Sequence, residues 1–314
     1  MKSILGRLDP DDFLRDYWQQ KPLLVRSALE GYRSPLTPDE LAGLSTEENV
    51  ESRLIKGSDK VPWELHDGPF TDDFFSQLPE TDWTLLVQAV DLWVPEVGRL
   101  LDYFDFLPRW RLDDIMVSFA PVGGSVGPHF DQYDVFLLQV EGERNWQIGD
   151  PSDETAGLVP NVPVRMLADF VVRDQWLLSP GDLLYLPPGI AHWGVSVSNS
   201  LTFSIGFRSP SVAEMVSDLA IELMVRDRMP HYRDPPSINS NMATGMIDPA
   251  FVAQVRALLY DVLDDEELLS DWFARYMTAP KYPGLETGSG ERRAARTRFH
   301  RYLNGYRDDG GETS

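Results

Sequence analysis

The strongest constraint on the fold is a series of short β-type segments between residues 84 and 208, punctuated by glycine and proline turn signals. The candidate strands are Asp114–Ala120, Asp134–Val140, Asn145–Gly149, Gln175–Leu178, Asp182–Leu186 and Leu201–Phe207. The turn signals include Gly123-Gly124, Glu141-Gly142, Ser179-Pro180-Gly181 and Pro187-Pro188-Gly189. Many short strands separated by such turns are typical of a double-sheet jelly roll or barrel. The sequence therefore predicts a mainly β fold.

Helical elements are expected ahead of this β-rich region. Asp9 and Thr37 each precede a proline, which is the order of a helix N-cap followed by the first helical residue. The short apolar run Pro22–Arg26 between them predicts a strand. We therefore expect residues 1–210 to form one jelly-roll domain with helical elements at its N-terminus.

Beyond residue 210 the pattern changes to helical. Apolar residues recur at helical spacing over 211–229 and 249–277, and a connector rich in proline, serine and asparagine separates the two stretches. We expect a helical region over 211–277 and a C-terminal tail over 278–314. The tail has few large apolar residues and is expected to lack strands, and its basic run Arg292–Arg301 predicts a solvated helix face.

The composition limits what chemistry the chain can carry. It has no cysteine among 314 residues, which excludes disulfides, thiolate zinc sites, iron–sulfur clusters and a cysteine nucleophile. A bound metal must then be held by histidines and carboxylates. The formal charge of −22 disfavours direct binding to nucleic acid, and it is compatible with a basic protein partner or simply with solubility.

Neither a secretory signal nor a membrane span is expected. The segment Met1–Phe13 reaches acidic residues too early for a secretory apolar region. No apolar run approaches the length that crosses a bilayer. Together with the missing cysteines, these features predict a cytoplasmic protein without membrane attachment.

The candidate metal ligands are two histidines and one aspartate. His129 and Asp131 are two residues apart, so on an extended strand their side chains project from the same face. His192 follows a Pro-Pro-Gly turn later in the β-rich region. Two histidines and one carboxylate form the facial triad of non-haem Fe(II) oxygenases, which leaves coordination positions open. Asp134 is a poorer ligand, because its odd offset from His129 turns it to the opposite face.

The residues alone leave an alternative open. His129 could be a hydrogen-bonded core histidine, and His192 could be an ordinary turn residue. Two local features favour the metal site. The glycine-rich approach to His129 allows close backbone packing, and the rigid Pro187-Pro188-Gly189 turn fixes the direction of the loop before His192.

Several long motifs resemble those of the bacterial ribosomal oxygenases, which are JmjC-type arginine hydroxylases acting on large-subunit ribosomal protein L-sixteen. Gly127–Phe136 resembles their iron-binding strand, and Pro180–Gly189 resembles the segment before the second histidine. Ser204–Pro210 resembles the end of the catalytic barrel, and Asp39–Leu44 and Trp83–Val90 match as well. The resemblance runs from about residue 10 to about residue 277. It implies a double-stranded β-helix of the cupin or JmjC type with flanking N-terminal helices.

The resemblance also implies roles for individual residues. His129, Asp131 and His192 fall on the iron ligands of the family. Arg144 falls on an arginine that binds at the active site, which we expect to pair with a carboxylate of 2-oxoglutarate because a guanidinium can bind a carboxylate through two hydrogen bonds. The remaining expectations are that a serine at the position of Ser118 lines the same pocket, and that Gln132 and Tyr133 border the substrate channel.

The implied activity is a dioxygenase reaction that uses Fe(II), 2-oxoglutarate and O₂. The family decarboxylates 2-oxoglutarate to succinate and hydroxylates an arginine side chain at its β-carbon in the basic ribosomal protein. The helical region over 211–277 is implied to form a homodimer. Relatives commonly carry a winged-helix domain after it. The tail over 278–314 is too short for an ordinary one, so we expect that domain to be truncated or absent.

Two alternative functions stay open from the sequence. One is a JmjC hydroxylase with another target, such as a histidine residue or an RNA, although the acidic charge argues against RNA. The other is a metal-binding cupin without oxygenase activity, since a fold does not decide a function. Arg144 discriminates between oxygenase and binding module, because a module that does not use 2-oxoglutarate has no need of it.

Overall fold

The computed structural model describes residues 3–58, 60–226, 229–239, 245–285 and 293–308. The chain divides into two compact units, Met1–Ser209 and Pro210–Ser314. None of the helices in the described ranges is long and apolar enough to cross a membrane.

The first part of unit 1 consists of short helices and strands. In order they are α1 (Pro10–Asp16), β1 (Leu23–Val25), α2 (Pro38–Leu44), β2 (Ser52–Ser58), β3 (Val61–Asp67), α3 (Asp72–Ser76), β4 (Trp83–Val87), α4 (Val90–Trp93), α5 (Pro95–Gly98) and two 3-10 helices, Arg99–Phe104 and Arg109–Arg111. Both predicted N-caps are confirmed. Asp9 accepts a hydrogen bond from the amide of Asp11, and Thr37 forms a reciprocal capping box with Glu40. The sequence did not indicate β2 and β3.

The second part of unit 1 is the predicted β-rich region. Its strands are β5 (Leu112–Ala120), β6 (Val135–Glu141), β7 (Arg144–Pro151), β8 (Asp174–Leu178), β9 (Leu183–Leu186), β10 (Ile190–Ser196) and β11 (Ser200–Phe207). They form an eight-stranded sheet in the order β1-β9-β6-β11-β5-β4-β2-β3 and a three-stranded sheet in the order β10-β7-β8, and the pairings are antiparallel. The prediction of a mainly β fold with two sheets is confirmed.

Alternation along β6 and β11 separates the two faces of the large sheet. Phe136 and Phe203 belong to a core that also contains residues of the N-terminal helices, such as Phe13. Leu137 faces the other way, into a second core with Trp146 of the small sheet. Because successive strand residues point to opposite faces, the space between the two sheets is the barrel interior, and the N-terminal helices cover the outside of the large sheet.

A short extended segment continues the small sheet beyond β10. His129 pairs with His192 as an isolated antiparallel bridge. The amide of His129 donates to the carbonyl of His192 at 3.0 Å, and the amide of His192 donates to the carbonyl of His129 at 2.7 Å. The two histidines are therefore held side by side by backbone pairing.

Unit 2 contains helices and a small sheet. Its elements are α6 (Val212–Met224), α7 (Pro249–Leu263), α8 (Glu266–Thr278), β12 (Ala294–Arg296), β13 (Arg301–Leu303) and β14 (Tyr306–Asp308). The helical stretch over 249–277 is thus two helices, because Asp265 caps the start of α8 through the amide of Leu268.

The prediction of a tail without strands is wrong. β12, β13 and β14 form an antiparallel sheet, with Tyr302 buried and its hydroxyl bonded to Asp271 of α8. Arg296 and Arg301 of the basic run lie on these strands, and Arg298 lies in the turn between them. Arg293, just before β12, is buried, so the described part of the run is not a solvated helix face. Arg292 and residues 309–314 lie outside the described residues.

Candidate metal centre

Three predicted ligands come together at one edge of the barrel interior. His129, Asp131 and His192 offer ligand atoms that all lie within 4.8 Å of one another. Nε2 of His192 is 3.7 Å from Oδ2 of Asp131, and the two imidazole rings have centroids 4.3 Å apart. His192 is buried, while Asp131 is partly exposed at 24%. The arrangement can hold a divalent cation with one side open.

Backbone carbonyls orient both imidazoles. Nδ1 of His129 is 3.0 Å from the carbonyl oxygen of Gly127, and Nδ1 of His192 is 2.9 Å from that of Ile190. Because a carbonyl can only accept, each Nδ1 carries the hydrogen and each Nε2 keeps its lone pair for a metal. Burial lowers the pKa of His192 to about 4, so this imidazole is neutral at neutral pH and can act as a ligand.

Two glycines shape the segments that carry the ligands. Gly127 has φ +82°, and a Cβ there would lie 2.2 Å from the sulfur of Met166. Gly189 has φ +79°, and its amide donates to the carbonyl of Asp131 at 2.7 Å. Positive φ values favour glycine. Gly127 and Gly189 therefore allow the segment that carries His129 and Asp131 to approach closely the segment that carries His192.

Asp134 does not join the ligand cluster. Its buried carboxylate accepts hydrogen bonds from the Tyr185 hydroxyl at 2.7 Å and from Arg111 at 3.0 Å. The expectation that its offset from His129 turns it away from the ligands agrees with this geometry.

Arg144 is a buried cation at the first residue of β7. One of its nitrogens donates to the carbonyl of Gly194 at 3.3 Å, and its Nε has no hydrogen-bond partner among the described residues. No carboxylate pairs with it among the residues that the structure describes. Its guanidinium carbon lies 5.2 Å from the centroid of Trp146. Burial lowers the pKa of Arg144 to about 10, which leaves it protonated at neutral pH.

Arg144 lies on the face of β7 that also carries Trp146, whose ring approaches the candidate ligand His192. Along β7 the buried positions alternate with less buried ones, so Arg144 and Trp146 point to the same side. The ring of Trp146 lies 5.8 Å from that of His192. An uncompensated buried guanidinium is costly, so this geometry suits a site for an anion beside the metal.

Polar side chains of the large sheet face the same interior. Ser118 pairs in register with Thr202, which in turn pairs with Gln139. All three are buried, and the Thr202 hydroxyl donates to the Gln139 side chain at 3.1 Å. The sequence indicated Ser118 but not Thr202 or Gln139. Polar residues on the inward face of a buried strand were the signal that could have identified them.

Tyr133 and Gln132 lie outside the ligand cluster. Tyr133 is 42% exposed, and Gln132 is exposed as well. The negative charge of Asp131, the partial removal of the phenol from water, and the charges of Asp114 and Asp113 together raise the pKa of Tyr133. An acidic environment therefore borders the ligand segment next to Tyr133.

Comparison with known proteins gives a consistent set of similarities. Residues 99–215 match the family model described as JmjC domain. The chain is 34% identical over 271 residues to the ribosomal protein uL16 3-hydroxylase of Escherichia coli strain K12, covering 86% of this chain and 72% of that protein. It is 37% identical over 272 residues to a probable ribosomal oxygenase of Haemophilus influenzae, covering 85% of this chain and 67% of that protein.

A solved structure aligns with most of the chain. The ribosomal oxygenase YcfD from Escherichia coli, in complex with cobalt and 2-oxoglutarate, aligns with a TM-score of 0.83 at 31% identity. The alignment covers 96% of this chain and 86% of that one.

Proposed function

The chain belongs to the JmjC family of ribosomal oxygenases, and we propose that it hydroxylates an arginine side chain of the ribosomal protein uL16. It is an Fe(II)- and 2-oxoglutarate-dependent dioxygenase. The observation that carries the proposal is the presence of His129, Asp131 and His192 in one cluster with a buried, unpaired Arg144 facing the same interior.

The residues fit Fe(II) and 2-oxoglutarate. His129, Asp131 and His192 would hold the metal through two imidazole nitrogens and one carboxylate oxygen. When bound, Fe(II) and 2-oxoglutarate supply the oxidation, which converts 2-oxoglutarate and O₂ to succinate and CO₂ while one oxygen atom enters a substrate C–H bond.

Arg144 would bind a carboxylate of 2-oxoglutarate. Its guanidinium is pre-positioned by Gly194 and Trp146, and its Nε is free to donate. Ser118 faces the same interior and would add a hydroxyl to the pocket, with Thr202 beside it. Charge-assisted hydrogen bonds of this kind are about twice as strong as neutral ones, so Arg144 provides most of the orientation.

The walls of the interior exclude water from the reacting atoms. Trp146 is buried and its ring lies 5.8 Å from that of His192, so it forms part of the wall of the interior. Exclusion of water protects a reactive intermediate from side reactions.

The acidic surroundings of Tyr133 would receive the substrate arginine. Asp113 and Asp114 lie within electrostatic range of the Tyr133 hydroxyl. Held there by its guanidinium, an arginine would present its methylene groups toward the metal, with Tyr133 and Gln132 bordering the channel. The β-carbon is the expected position, because the Escherichia coli relative is named a 3-hydroxylase. The chain charge of −22 would also attract a basic ribosomal protein at long range.

The helices of unit 2 would form a homodimer. Along α7 the apolar side chains Val252, Val255, Leu259 and Leu263 are exposed. α6 exposes Val212 and Val216 as well. Contiguous exposed apolar faces are characteristic of protein interfaces, and closed symmetric pairing of two copies is the commonest way to cover them. A ribosomal-protein substrate would place the reaction in the cytoplasm.

The experiment is mass spectrometry of intact uL16, incubated with the purified chain, Fe(II), 2-oxoglutarate and O₂. The expected result is a gain of one oxygen on one arginine, with a stoichiometric amount of succinate. The Asp131→Ala protein is the control and should give neither product. Oxygen found on a histidine or on RNA would contradict the substrate, and absence of succinate with every substrate would contradict the oxygenase activity.

A further inference from the structure

We infer that the buried carboxylate of Asp134, with Tyr185 and Arg111, is a positioning group that sets the spacing of the two segments carrying the metal ligands. None of these three residues lies in the ligand cluster, and the mechanism above does not use them. The inference rests on the proposed metal site.

Asp134 is fully buried and its carboxylate is saturated with hydrogen bonds. Oδ1 accepts from the Tyr185 hydroxyl at 2.7 Å. Oδ2 accepts from Arg111 at 3.0 Å and from the side-chain amide of Gln19 at 3.0 Å. The backbone amide of Gln19 donates to the Tyr185 oxygen at 2.7 Å, so the network closes on itself.

The network joins the two segments at their ends nearest the metal. Asp134 follows the ligand Asp131 by three residues and precedes β6. Tyr185 lies in β9, directly before the Pro187-Pro188-Gly189 turn that leads to His192. β6 and β9 pair with Phe136 opposite Tyr185. The Asp134–Tyr185 hydrogen bond therefore ties the end of the segment that carries His129 and Asp131 to the beginning of the segment that carries His192.

A second hydrogen bond joins the same two segments beside the candidate ligand Asp131. The amide of Gly189 donates to the carbonyl of Asp131 at 2.7 Å. A shift of Tyr185 away from Asp134 would move the Gly189 turn relative to Asp131, and so change the separation of Asp131 and His192. Metal affinity depends on such separations within a few tenths of an ångström.

The charges and hydrogen bonds of this network serve more than the stability of the fold. A buried ion pair such as Arg111 with Asp134 is often no better for stability than an apolar pair of the same volume. What it provides is direction, because each hydrogen bond fixes an angle and a distance. Tyr185 also packs on Phe13 and Phe136, so its hydroxyl can be removed while its ring stays.

The test is titration of the full-length apo protein with Co(II), followed by absorption spectroscopy, for the wild type and for Tyr185→Phe and Asp134→Asn. Residues that support metal ligands indirectly change metal affinity by about tenfold to a hundredfold. We expect a Kd for Co(II) raised several-fold in Tyr185→Phe and about tenfold in Asp134→Asn. The Kd for 2-oxoglutarate, measured at saturating Co(II), should not change, because Arg144 is untouched.

Tyr32→Phe is the matched control. Its hydroxyl is buried against the same large core but has no hydrogen-bond partner in the part of the chain that the structure describes. Its removal should leave Co(II) binding unchanged. The double variant Arg111→Gln with Asp134→Asn replaces the ion pair by a neutral one and should recover melting temperature in part, but not Co(II) affinity.

Wild-type Co(II) affinity in Tyr185→Phe and Asp134→Asn, with only a lower melting temperature, would overturn the inference and leave a purely structural role. Recovery of Co(II) affinity together with stability in the double variant would overturn it too. A wild-type chain that binds no Co(II) would instead overturn the metal site, and the positioning role with it.

Discussion

Strand β11 in unit 1 and helix α7 in unit 2 are both rich in apolar residues but differ in burial. All eight residues of β11 are buried. None of the 15 residues of α7 is buried within the described chain. β11 has a helical layer on one side and the barrel interior on the other, so its apolar residues are covered within unit 1. Unit 1 thus buries its own apolar strands, whereas α7 leaves an apolar face exposed, on which we propose that a homodimer forms.

The largest expected effect concerns the site inside unit 1. Asp131→Ala removes the carboxylate ligand while leaving the core untouched, because Asp131 is partly exposed and belongs to no apolar cluster. Succinate formation should be lost, and the melting temperature should stay near that of the wild type. Succinate assays and calorimetry measure the two quantities. Full succinate formation by this variant would remove Asp131 from the ligand set.

Two substitutions that shorten an apolar side chain, one in β6 and one in α7, test the difference in burial directly. Phe136 is fully buried among Phe13, Phe104 and Phe207, and Phe136→Ala should lower the free energy of unfolding by about 3–5 kcal/mol. Leu259 of α7 is 59% exposed, and Leu259→Ala in dilute protein should cost less than about 1 kcal/mol. Urea unfolding gives both values. Equal losses would show that α7 is as well covered as the barrel core.

Arg144 tests whether the buried cation of unit 1 serves a ligand. Arg144→Ala should weaken 2-oxoglutarate binding by roughly 2–5 kcal/mol, the cost of removing one partner of a buried charge pair. Arg144→Lys should recover little, because lysine cannot offer two parallel hydrogen bonds. Calorimetric titration of the Co(II)-loaded protein measures the affinity. The exposed Arg173, paired with Asp150, is the matched control, and Arg173→Ala should bind 2-oxoglutarate normally.

Substitutions on the exposed face of α7 are expected to change the rate of succinate formation least. Leu259→Glu adds a charge to each copy of the proposed interface, so light scattering should find a monomer at micromolar concentration. Asp261 is about 200° away around the helix, and Asp261→Asn should leave the dimer intact. Succinate formation from a short substrate peptide should stay near the wild-type rate. A wild-type chain that is already monomeric would contradict the proposed dimer.

Much of the fold and the site was predictable because the relevant signals are local. Helix starts depend on a cap and a proline within a few residues, as at Asp9 and Thr37. The pairing of His129 with Asp131 on one face depends only on the two-residue period of an extended chain. Strand β10 was missed, although it contains His192, because Gly194 interrupts its apolar pattern and Gly189 lies just before its start.

The sequence by itself determined which side chains could serve as ligands, and it did so through the absence of cysteine and the spacing of His129 and Asp131. The tertiary structure decided what those side chains meet. Arg144 is buried without a carboxylate partner among the described residues, and Asp134 binds Tyr185, only because strands far apart in sequence pair in one register. Local periodicity is encoded in neighbouring residues. The register between distant strands depends on the whole sheet, because the chain adopts the register that minimises the exposed apolar area of all strands together.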